Sequence, residues 1–405
     1  MSVNIVVIGG GAAGFFSALS CKLHHPEYAV TLLEKSDKLL AKVAVSGGGR
    51  CNVTHACFDN KELSQFYPRG ERHLKKLFFQ FNAKDTVAWF ESRGVRLKTE
   101  ADNRMFPVSD SSQTIIDCLV HEANRLGVVI QKGVSISEIQ KNGSGFILTS
   151  NGKEIHADKI IVASGGSSKL EGFDWLEKIG HKIIPPVPSL FTFNMPDEPI
   201  KKLMGVSVSL ALLKIKGLKM QSEGPLLITH WGMSGPAVLK LSSLCARELN
   251  EGHYAFELSV NWLGDQNEQH IRDHLSAALE GLGKRQIGNV NPFALPSRLW
   301  LFLLEKNEVD ATIPWNQIGK KSQNKLINTL VNDAYKVKGK TTFKEEFVTC
   351  GGVALNEISF ETMESKICPG IYFAGEVLDI DAVTGGFNFQ AAWTTGFVAG
   401  KLESR

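Results

Sequence analysis

The chain has 405 residues, of which 43% are hydrophobic and 21% are charged. This composition is typical of a soluble globular protein that is large enough for two or three domains. The 45 basic and 42 acidic residues leave a net charge of +3, which argues against a nucleic-acid partner and against an anionic membrane surface. No apolar run reaches the roughly 18 residues that a membrane-spanning helix needs.

The seven cysteines are an odd number and form no C-x-x-C pair. They argue against a disulfide framework and against a zinc site, so we predict no metal site. The first residues already form an apolar strand, which differs from the pattern of a signal peptide. The sequence therefore predicts a cytoplasmic protein.

The chain opens with a strand, a glycine-rich turn, a helix and a second strand. Residues 3–8 are predominantly apolar, as in a strand that is buried on both faces. The helix runs through Leu23, and the second strand, residues 29–33, ends at Glu34. The turn between strand and helix carries a G-x-G-x-x-G pattern, formed by Gly9, Gly11 and Gly14.

Each part of this pattern has a role in binding a dinucleotide. Gly9 permits the tight turn, Gly11 lets the backbone approach a pyrophosphate, and Gly14 lets the helix pack on the strand. The helix N-terminus directs N–H groups and a positive dipole end at the phosphates. Glu34 can accept hydrogen bonds from ribose hydroxyls, and it repels a 2′-phosphate. A glycine turn without a ligand is the alternative, which the order of strand, helix, strand and acid disfavours.

A second glycine-rich segment, SGGGRCN, occupies residues 46–52. Its glycines suggest a second backbone-lined site for an anion or a ring, with Lys42 and Arg50 adding charge to a pyrophosphate or a ring carbonyl. A mobile surface loop is the alternative. Cys51 and Cys57 lie near the position of a redox pair in flavin disulfide reductases, but their spacing and context favour two independent cysteines.

The middle of the first domain is predicted to contain helices and a β-meander. Residues 71–94 form two helices, the second capped by Asn82, and a further helix runs from Ser111 or Ser112 to Leu126. Strands are predicted at 95–100, 128–131, 134–140, 146–150, 154–156 and 159–163, with turn dipeptides at Asn142-Gly143 and Asn151-Gly152.

The composition changes after three prolines at 185–188, which mark a stiff exit from the first domain. Residues 191–262 are predicted to be β-rich, with Ser234 capping a helix that begins near Pro236. Residues 263–342 are predicted to be helical, with the last helix at 322–335. The lysines at 336, 338, 340 and 344 form either a solvated face or a substrate-facing rim, of which the solvated face is favoured.

His230 is the candidate catalytic residue. A histidine titrates near neutrality, so it can exchange the proton that accompanies hydride transfer. A structural, hydrogen-bonding histidine is the alternative.

The C-terminal segment repeats the opening pattern of strand, glycines and helix. A strand is predicted at 347–355 and another at 371–374, and a helix at 387–400 follows Gly385-Gly386. The dipole of that helix can stabilise negative charge on the edge of a reduced flavin. Glu376 is placed to hold a ribityl hydroxyl.

Four motifs together resemble the YhiN/BaiN-like flavoproteins, known as 3-dehydro-bile-acid-reductase-like or aminoacetone-oxidase-family FAD-binding enzymes. They are VIGGGAAG at 7–14, SGGGRCNVT at 46–54, THWGMSGPAVLKLS at 229–242 and AGEVLDIDAVTGGFNFQAAWTTG at 374–396. The motifs are spread from end to end, so the resemblance covers essentially the whole chain. One mild departure is A-S-G-G at 163–166, where A-T-G-G is usual.

The resemblance implies an α/β fold: a glutathione-reductase-like Rossmann FAD-binding domain with an inserted β-barrel-like domain and a helical domain. The implied boundaries are 1–190 plus 345–405, 191–262 and 263–344. FAD is implied to bind non-covalently through residues of the motifs and the strand ends: Gly9, Gly11, Ala12, Ala13, Gly14, Glu34, Lys35, Lys42, Ser46, Gly49, Arg50, Cys51, Asn52, Val134, Ala163, Ser164, Gly165, Gly375, Glu376, Asp381, Gly386, Phe387 and Asn388.

The sequence and the resemblance together predict an FAD-dependent oxidoreductase that reduces an unsaturated or carbonyl-conjugated small molecule. The chain has no second G-x-G-x-x-G, so NAD(P)H would act only as a transient electron donor, and another donor is equally allowed. A flavin amine oxidase using O2 is one alternative. A non-catalytic flavin-binding protein or an RNA-associated flavoprotein is the other. The sequence predicts no oligomeric state.

Overall fold

The computed structural model describes residues 2–341 and 348–403. The chain forms two compact units. The discontinuous unit consists of Met1–Ser189 and Lys344–Arg405, and the inserted unit consists of Leu190–Phe343.

The described residues contain the following secondary structure. The strands are β1 (Asn4–Ile8), β2 (Ala29–Glu34), β3 (Thr54–His55), β4 (Leu97–Thr99), β5 (Arg104–Pro107), β6 (Val129–Lys132), β7 (Glu138–Asn142), β8 (Gly145–Ser150), β9 (Lys153–Ala157), β10 (Lys159–Val162), β11 (Ile183–Pro188), β12 (Thr192–Asn194), β13 (Ser207–Ile215), β14 (Gln221–Ile228), β15 (Gly232–Ser234), β16 (Ala255–Asn261), β17 (Asp333–Lys338), β18 (Lys340–Thr341), β19 (Thr349–Val353) and β20 (Ile371–Phe373). The α-helices are α1 (Ala12–His24), α2 (Ala41–Gly49), α3 (Asn60–Ser64), α4 (Glu71–Leu77), α5 (Ala83–Glu91), α6 (Ser112–Arg125), α7 (Asp174–Glu177), α8 (Pro236–Leu244), α9 (Ala246–Glu251), α10 (Glu268–Leu282), α11 (Ser297–Lys306), α12 (Lys320–Val331) and α13 (Phe387–Gly400).

The discontinuous unit is built on a five-stranded parallel sheet in the order β20-β10-β1-β2-β6. Ile8, at the end of β1, is in register with Leu33 of β2 and Val162 of β10. Because β1 is central and apolar on both faces, it is buried, as the sequence predicts. The parallel sheet with flanking helices confirms the predicted α/β fold.

Helices α1 and α13 pack against each other closely. A Cβ atom added at Gly396 would lie 2.8 Å from the carbonyl oxygen of Ala13, and one at Gly400 would lie 2.5 Å from that of Ser17. Only glycine leaves room for this approach. The C-terminal helix is thereby fixed on the helix of the N-terminal fingerprint.

Smaller antiparallel sheets complete the unit, in the orders β3-β5-β4, β7-β8-β9 and β11-β19. The meander β7-β8-β9 agrees with the predicted hairpins at Asn142 and Asn151. The predicted strand at 134–140 is wrong at its start, since β7 begins only at Glu138. The backbone N–H of Val134 instead donates to the carbonyl oxygen of Glu34, at 2.9 Å.

The inserted unit contains a seven-stranded antiparallel sheet in the order β17-β16-β13-β14-β15-β12-β18. Strands β17 and β18 lie at opposite ends of this order, yet Gly339 alone separates them in the chain. The sheet must therefore curl round on itself, which confirms the β-barrel-like architecture. Helices α8 and α10–α12 share one hydrophobic core with this sheet.

Two local predictions in the inserted unit are wrong. Residues 333–335 were predicted to end a helix, but they begin β17, in which buried and exposed side chains alternate. The period of two is set by pairing with β16 along six residues. Helix α8 is capped by Gly235, and Ser234 ends β15 instead.

Lys336 and Lys338 of the predicted lysine patch lie on the exposed face of β17. Lys340 lies in β18, with its Nζ 4.6 Å from the ring centroid of Tyr254. Lys338 pairs with Asp197 at 2.6 Å, and the backbone N–H of Lys336 donates to Glu198 at 2.8 Å. These contacts agree with a solvated face. Lys344, and the start of the strand predicted at 347, lie outside the described residues.

Candidate functional site

The carboxyl ends of the parallel strands meet at one edge of the sheet in the discontinuous unit. Gly9 follows β1, Glu34 ends β2, Ala163 follows β10, and Gly375 lies two residues beyond β20. A Cβ atom added at Gly9 would lie 2.3 Å from the carbonyl oxygen of Ala163, and one at Gly375 would lie 2.7 Å from Cβ of Ala13. The edge is therefore tightly assembled, at the place where open α/β sheets bind ligands.

The three fingerprint glycines have different surroundings. A Cβ atom at Gly14 would lie 1.8 Å from the carbonyl oxygen of Gly9, so helix and turn touch there. Gly9 has a left-handed φ of 115°. At Gly11, by contrast, an added Cβ meets no atom within 4 Å. The open side of the turn is the side that a pyrophosphate would need to approach.

No side chain caps the N-terminus of α1, which begins after Gly11. Glu34 lies beside it, and its Oε2 accepts a hydrogen bond from the backbone N–H of Gly10 at 2.7 Å. Its Oε1 accepts from the N–H and the hydroxyl of Ser36, each at 2.8 Å. The carboxylate is thus held at the mouth of the turn, and Lys35 follows it directly.

The SGGGRCN segment leaves helical geometry after Ser46, whose ψ is 148°. Gly47, Gly48 and Gly49 have left-handed φ values of 57°, 69° and 84°. Gly49 is followed by Arg50 with a right-handed φ of −96°, and such a change of hand turns successive backbone N–H groups toward a concave anion-binding surface. Side chains added at Gly48 and Gly49 would meet no atom within 4 Å, so this surface is open.

The side chain of Arg50 is engaged within the unit. Its Nη1 lies 2.6 Å from Oε1 of Glu100, and the guanidinium lies 4.0 Å from the ring centroid of Phe106. The hydrogen bond to Glu100 raises the pKa of Arg50. Its side chain therefore already has partners, and a role in binding a phosphate or a ring carbonyl stays a prediction.

All seven cysteines are free thiols, in agreement with independent rather than paired cysteines at 51 and 57. Cys51 is completely buried, and burial raises its pKa to about 12 although a hydrogen bond with Ser46 opposes the shift. Burial also raises the pKa of Cys57. A thiolate nucleophile is disfavoured at both positions.

An ion pair joins helix α2, which runs into the SGGGRCN segment, to the segment that follows β20. Nζ of Lys42 lies 2.5 Å from Oε2 of Glu376. The other oxygen of Glu376 accepts from the backbone N–H of Thr349 at 3.2 Å. The SGGGRCN segment is also held at the start of α13, because a Cβ at Gly386 would lie 2.7 Å from Oδ1 of Asn52.

The residues around the start of α13 are fixed by contacts with their neighbours. Asn388 accepts from the N–H of Ala382 at 2.9 Å and donates to its carbonyl oxygen at 3.2 Å. The ring of Phe387 is buried and stacks on Phe66, with centroids 4.2 Å apart. Asp381 is fully buried, and its carboxylate pairs with Arg69.

His230 lies in the inserted unit, where its ring makes an edge contact with Trp231, with centroids 4.1 Å apart. All predicted cofactor-binding residues lie in the discontinuous unit. Those at the sheet edge and the start of α13 come together through the contacts given above. Their roles toward a cofactor stay predictions.

Sequence reasoning overlooked several residues of this region. Arg69 and Tyr67 hold the segment before α13, and His55 bonds the carbonyl oxygen of Gly385 at 3.1 Å. Thr349 contacts Glu376 although it is 27 positions away in the chain. None of these residues belongs to a motif that we recognised. Only Gly70, which follows Arg69 and indicates a turn, could have pointed to this segment.

Among the described residues, no group of histidine, cysteine, aspartate or glutamate side chains could hold a metal ion. None of the helices in the described part of the chain is long and apolar enough to cross a membrane.

A model of the HI0933-like protein Rossmann domain matches residues 3–402. The chain belongs to the HI0933-like family. This assignment confirms the resemblance to YhiN/BaiN-like flavoproteins, and the match runs through both units rather than through the fingerprint alone.

The chain is also similar to proteins that carry two different names. It is 27% identical to the 3-dehydro-bile acid delta(4,6)-reductase of Clostridium scindens, with 99% of each chain covered. It is 30% identical to the ribosomal RNA dihydrouridine synthase of Escherichia coli K12, with 97% of this chain and 96% of the relative covered.

The HI0933-like chain also shares its fold with a solved structure. The 3-ketosteroid-delta4-(5alpha)-dehydrogenase of Rhodococcus jostii RHA1 superposes with a TM-score of 0.52 at 14% identity, over 99% of this chain and 97% of that one. At that identity the likeness concerns the fold.

Proposed function

We propose that this protein is an FAD-dependent reductase of a carbon–carbon double bond that is conjugated to a carbonyl group. The observation that carries the proposal is the presence of two open glycine surfaces, at Gly11 beside the sheet edge and at Gly48-Gly49 at the end of α2, in the same unit as the start of α13. The family relatives support the chemistry. A delta(4,6)-reductase and a dihydrouridine synthase both saturate such a double bond.

The residues present fit FAD. The uncapped start of α1 and the open side of Gly11 suit its pyrophosphate. Glu34 lies where the adenosine ribose of a Rossmann-bound dinucleotide is held, and Glu376 would hold a ribityl hydroxyl. Nicotinamide and isoalloxazine are both rings, so the choice of FAD over NAD rests on the membership of the chain in a family that resembles YhiN/BaiN-like flavoproteins.

When bound, FAD would supply hydride chemistry at its ring. The chain would contribute binding, orientation and charge stabilisation. The N-terminus of α13 has no side-chain cap, so the N–H groups of Phe387 and Asn388 and the positive dipole end would be available to stabilise negative charge on a reduced ring. His230 is proposed as the residue that exchanges the accompanying proton, and NAD(P)H as a transient electron donor.

The test uses purified protein, with FAD added if necessary. We expect a flavin absorbance band at about 450 nm, and we expect anaerobically reduced protein to be reoxidised by a steroid dienone faster than by air. Absence of flavin binding would overturn the proposal. Fast reoxidation by air with peroxide release coupled to an amine substrate would favour the oxidase instead.

A uridine in ribosomal RNA is the second candidate substrate. The relative from Escherichia coli favours it, and the double bond of uracil is also conjugated to a carbonyl group. Nucleoside mass spectrometry of ribosomal RNA from cells that lack the gene decides between the two. Loss of a dihydrouridine would identify RNA as the substrate, and an unchanged set of nucleosides would favour a small molecule.

A further inference from the structure

A buried ion pair lies in the segment that leads into α13. Arg69 makes a bidentate contact with Asp381: its Nε donates to one carboxylate oxygen and its Nη2 to the other. The side chain of Asp381 is completely buried and that of Arg69 is 13% exposed. The hydroxyl of Ser189 also donates to Asp381, at 2.5 Å. Both carboxylate oxygens are therefore occupied by groups of the protein itself.

This arrangement gives Asp381 a different role from the one its sequence motif implies. A carboxylate without solvent exposure and with both oxygens bonded has no face for a cofactor hydroxyl. Burial acts to raise the pKa of Asp381, while the charge of Arg69 acts to lower it. The guanidinium of Arg69 therefore supplies the opposite charge that a buried carboxylate needs.

Residues 66–70, which we call the clamp segment, hold the loop at 380–387 at several further points. The backbone N–H of Val383 donates to the carbonyl oxygen of Phe66 at 3.0 Å, and the hydroxyl of Tyr67 donates to that of Phe387 at 2.7 Å. Arg69 and Asp381 also form a backbone bridge. The ion pair between Arg69 and Asp381 is therefore one of several contacts that join the clamp segment to the loop.

The loop that is held in this way ends in two glycines with left-handed φ values, 133° at Gly385 and 93° at Gly386. These glycines set the direction of the first N–H groups of α13. Electrostatic stabilisation by such groups depends on their being fixed in advance, because a group that must reorient loses most of its effect.

We propose that Arg69, through its ion pair with Asp381, is a positioning residue for the ring of the cofactor. It fixes the 380–387 loop, and so sets how strongly the N-terminus of α13 stabilises the reduced form. The inference rests on the proposed FAD site. Arg69 acts through the loop and need not touch the cofactor.

The test compares wild-type protein with Arg69→Met, Arg69→Lys and Asp381→Asn. We expect Arg69→Met and Asp381→Asn to bind oxidised FAD with a dissociation constant raised by no more than about tenfold and reduced FAD with a much larger increase. Their midpoint potentials should therefore fall. Arg69→Lys keeps the charge but loses the planar fork, so it should recover part of the potential.

A second buried ion pair provides the matched control. Arg93 lies 2.9 Å from Glu122, with side chains 18% and 8% exposed, and its hydrogen bonds go to Glu122, Trp89 and Ser92, outside the clamp segment and the loop. Glu122→Gln should lower the melting temperature of the protein and leave the midpoint potential unchanged. A potential that shifts equally in Glu122→Gln would show that Arg69 acts only through stability.

The outcomes separate the two proposals. Wild-type protein that binds no FAD overturns the proposed function and this inference together. Wild-type protein that binds FAD, with Arg69→Met and Asp381→Asn at the wild-type potential, overturns the inference alone. If both of these variants fail to fold, Arg69→Lys decides, since an unchanged potential in that variant also contradicts the positioning role.

Discussion

At the scale of single residues, the fingerprint glycines differ in what requires them. The surrounding protein requires Gly9 and Gly14, because an added Cβ would lie 2.3 Å from the carbonyl oxygen of Ala163 or 1.8 Å from that of Gly9, well inside van der Waals contact. No neighbouring atom requires Gly11, whose φ of −91° suits any residue. A glycine would be needed at position 11 only to leave room for a bound ligand.

Substitution separates these two requirements. We expect Gly11→Val to keep the wild-type melting temperature but to bind FAD at least about tenfold more weakly, because its side chain fills the open side of the turn. Gly14→Ala should instead cost about 1–3 kcal/mol of folding free energy. Flavin absorbance per protein and thermal unfolding measure both effects. Normal flavin content in Gly11→Val would contradict the assigned role.

Residues in recognisable patterns could be predicted, and their partners could not. The glycines and Glu34 stand at fixed spacings along one βαβ unit, so sequence alone places them. Asp381 is different, because its partner Arg69 is 312 positions away and belongs to no motif. The sequence therefore contains no sign of the ion pair of Asp381, and its contact with FAD stays a prediction.

At the scale of elements, a buried histidine joins the segment before β11 to two turns near β20. His181 is 2% exposed and contacts Glu357 through Nδ1 at 3.1 Å and Ser365 through Nε2 at 3.0 Å. The hydroxyl of Ser365 also accepts the N–H groups of residues 367 and 368. It must therefore donate to His181, which requires a neutral ring with Nε2 as an acceptor.

This arrangement predicts a loss of stability in acid. Burial lowers the pKa of His181 in the folded state, whereas the unfolded value is about 6.5. The unfolded chain then binds more protons, so stability falls as the pH falls below about 6.5 toward the folded pKa. We expect melting temperatures measured from pH 8 to pH 5 to fall less steeply in His181→Asn. A slope in His181→Asn that equals the wild-type slope would contradict this role of His181.

The contact between α1 and α13 predicts a second effect at this scale. Gly396→Ala places a methyl group against the backbone of α1, and we expect it to cost about 1–3 kcal/mol and to weaken FAD binding, since α1 carries the fingerprint. At Gly281, on the exposed side of α10, a Cβ meets no atom within 4 Å. Gly281→Ala should be neutral or stabilise the protein by up to about 1 kcal/mol. Equal melting temperatures for the two variants would contradict the packing argument.

Elements with a continuous pattern were predicted better than elements defined by pairing. The observed bounds of α13, which follows two glycines, equal the predicted ones, and those of the apolar strand β1 differ by one residue. Strand β17 follows α12 after one residue, and its Asp-Ala-Tyr start continues a helical pattern. Only pairing with β16, more than 70 positions earlier, makes it a strand.

At the scale of the whole molecule, the net charge of +3 was a poor guide to partners. A sum over the chain contains no information on where charges lie, and one relative acts on ribosomal RNA by its name. The expectation of no nucleic-acid partner is therefore unsupported. The order of the strands was likewise not readable from the sequence, since β10 and β20 begin 155 and 367 positions after the start of β1.

Because His230 and the predicted FAD-binding residues lie in different units, the role of His230 can be tested separately from FAD binding. The residue belongs to the inserted unit, so His230→Gln should leave FAD content and melting temperature unchanged. If His230 exchanges the proton, turnover should fall about 10²- to 10⁴-fold and the pH–rate profile should lose one limb. Unchanged turnover would assign His230 a structural role, with the contact to Trp231 as its function.

The placement of β20 and α13 after the inserted unit has a consequence for how the protein is made. A ribosome synthesises the chain from its N-terminus, and domains generally fold as they emerge. The fingerprint helix α1 is made early, but its packing partner α13 and the edge strand β20 emerge only after residues 190–343. The inserted unit can therefore fold before α13 emerges, and the proposed FAD site can be completed only after α13 has been made.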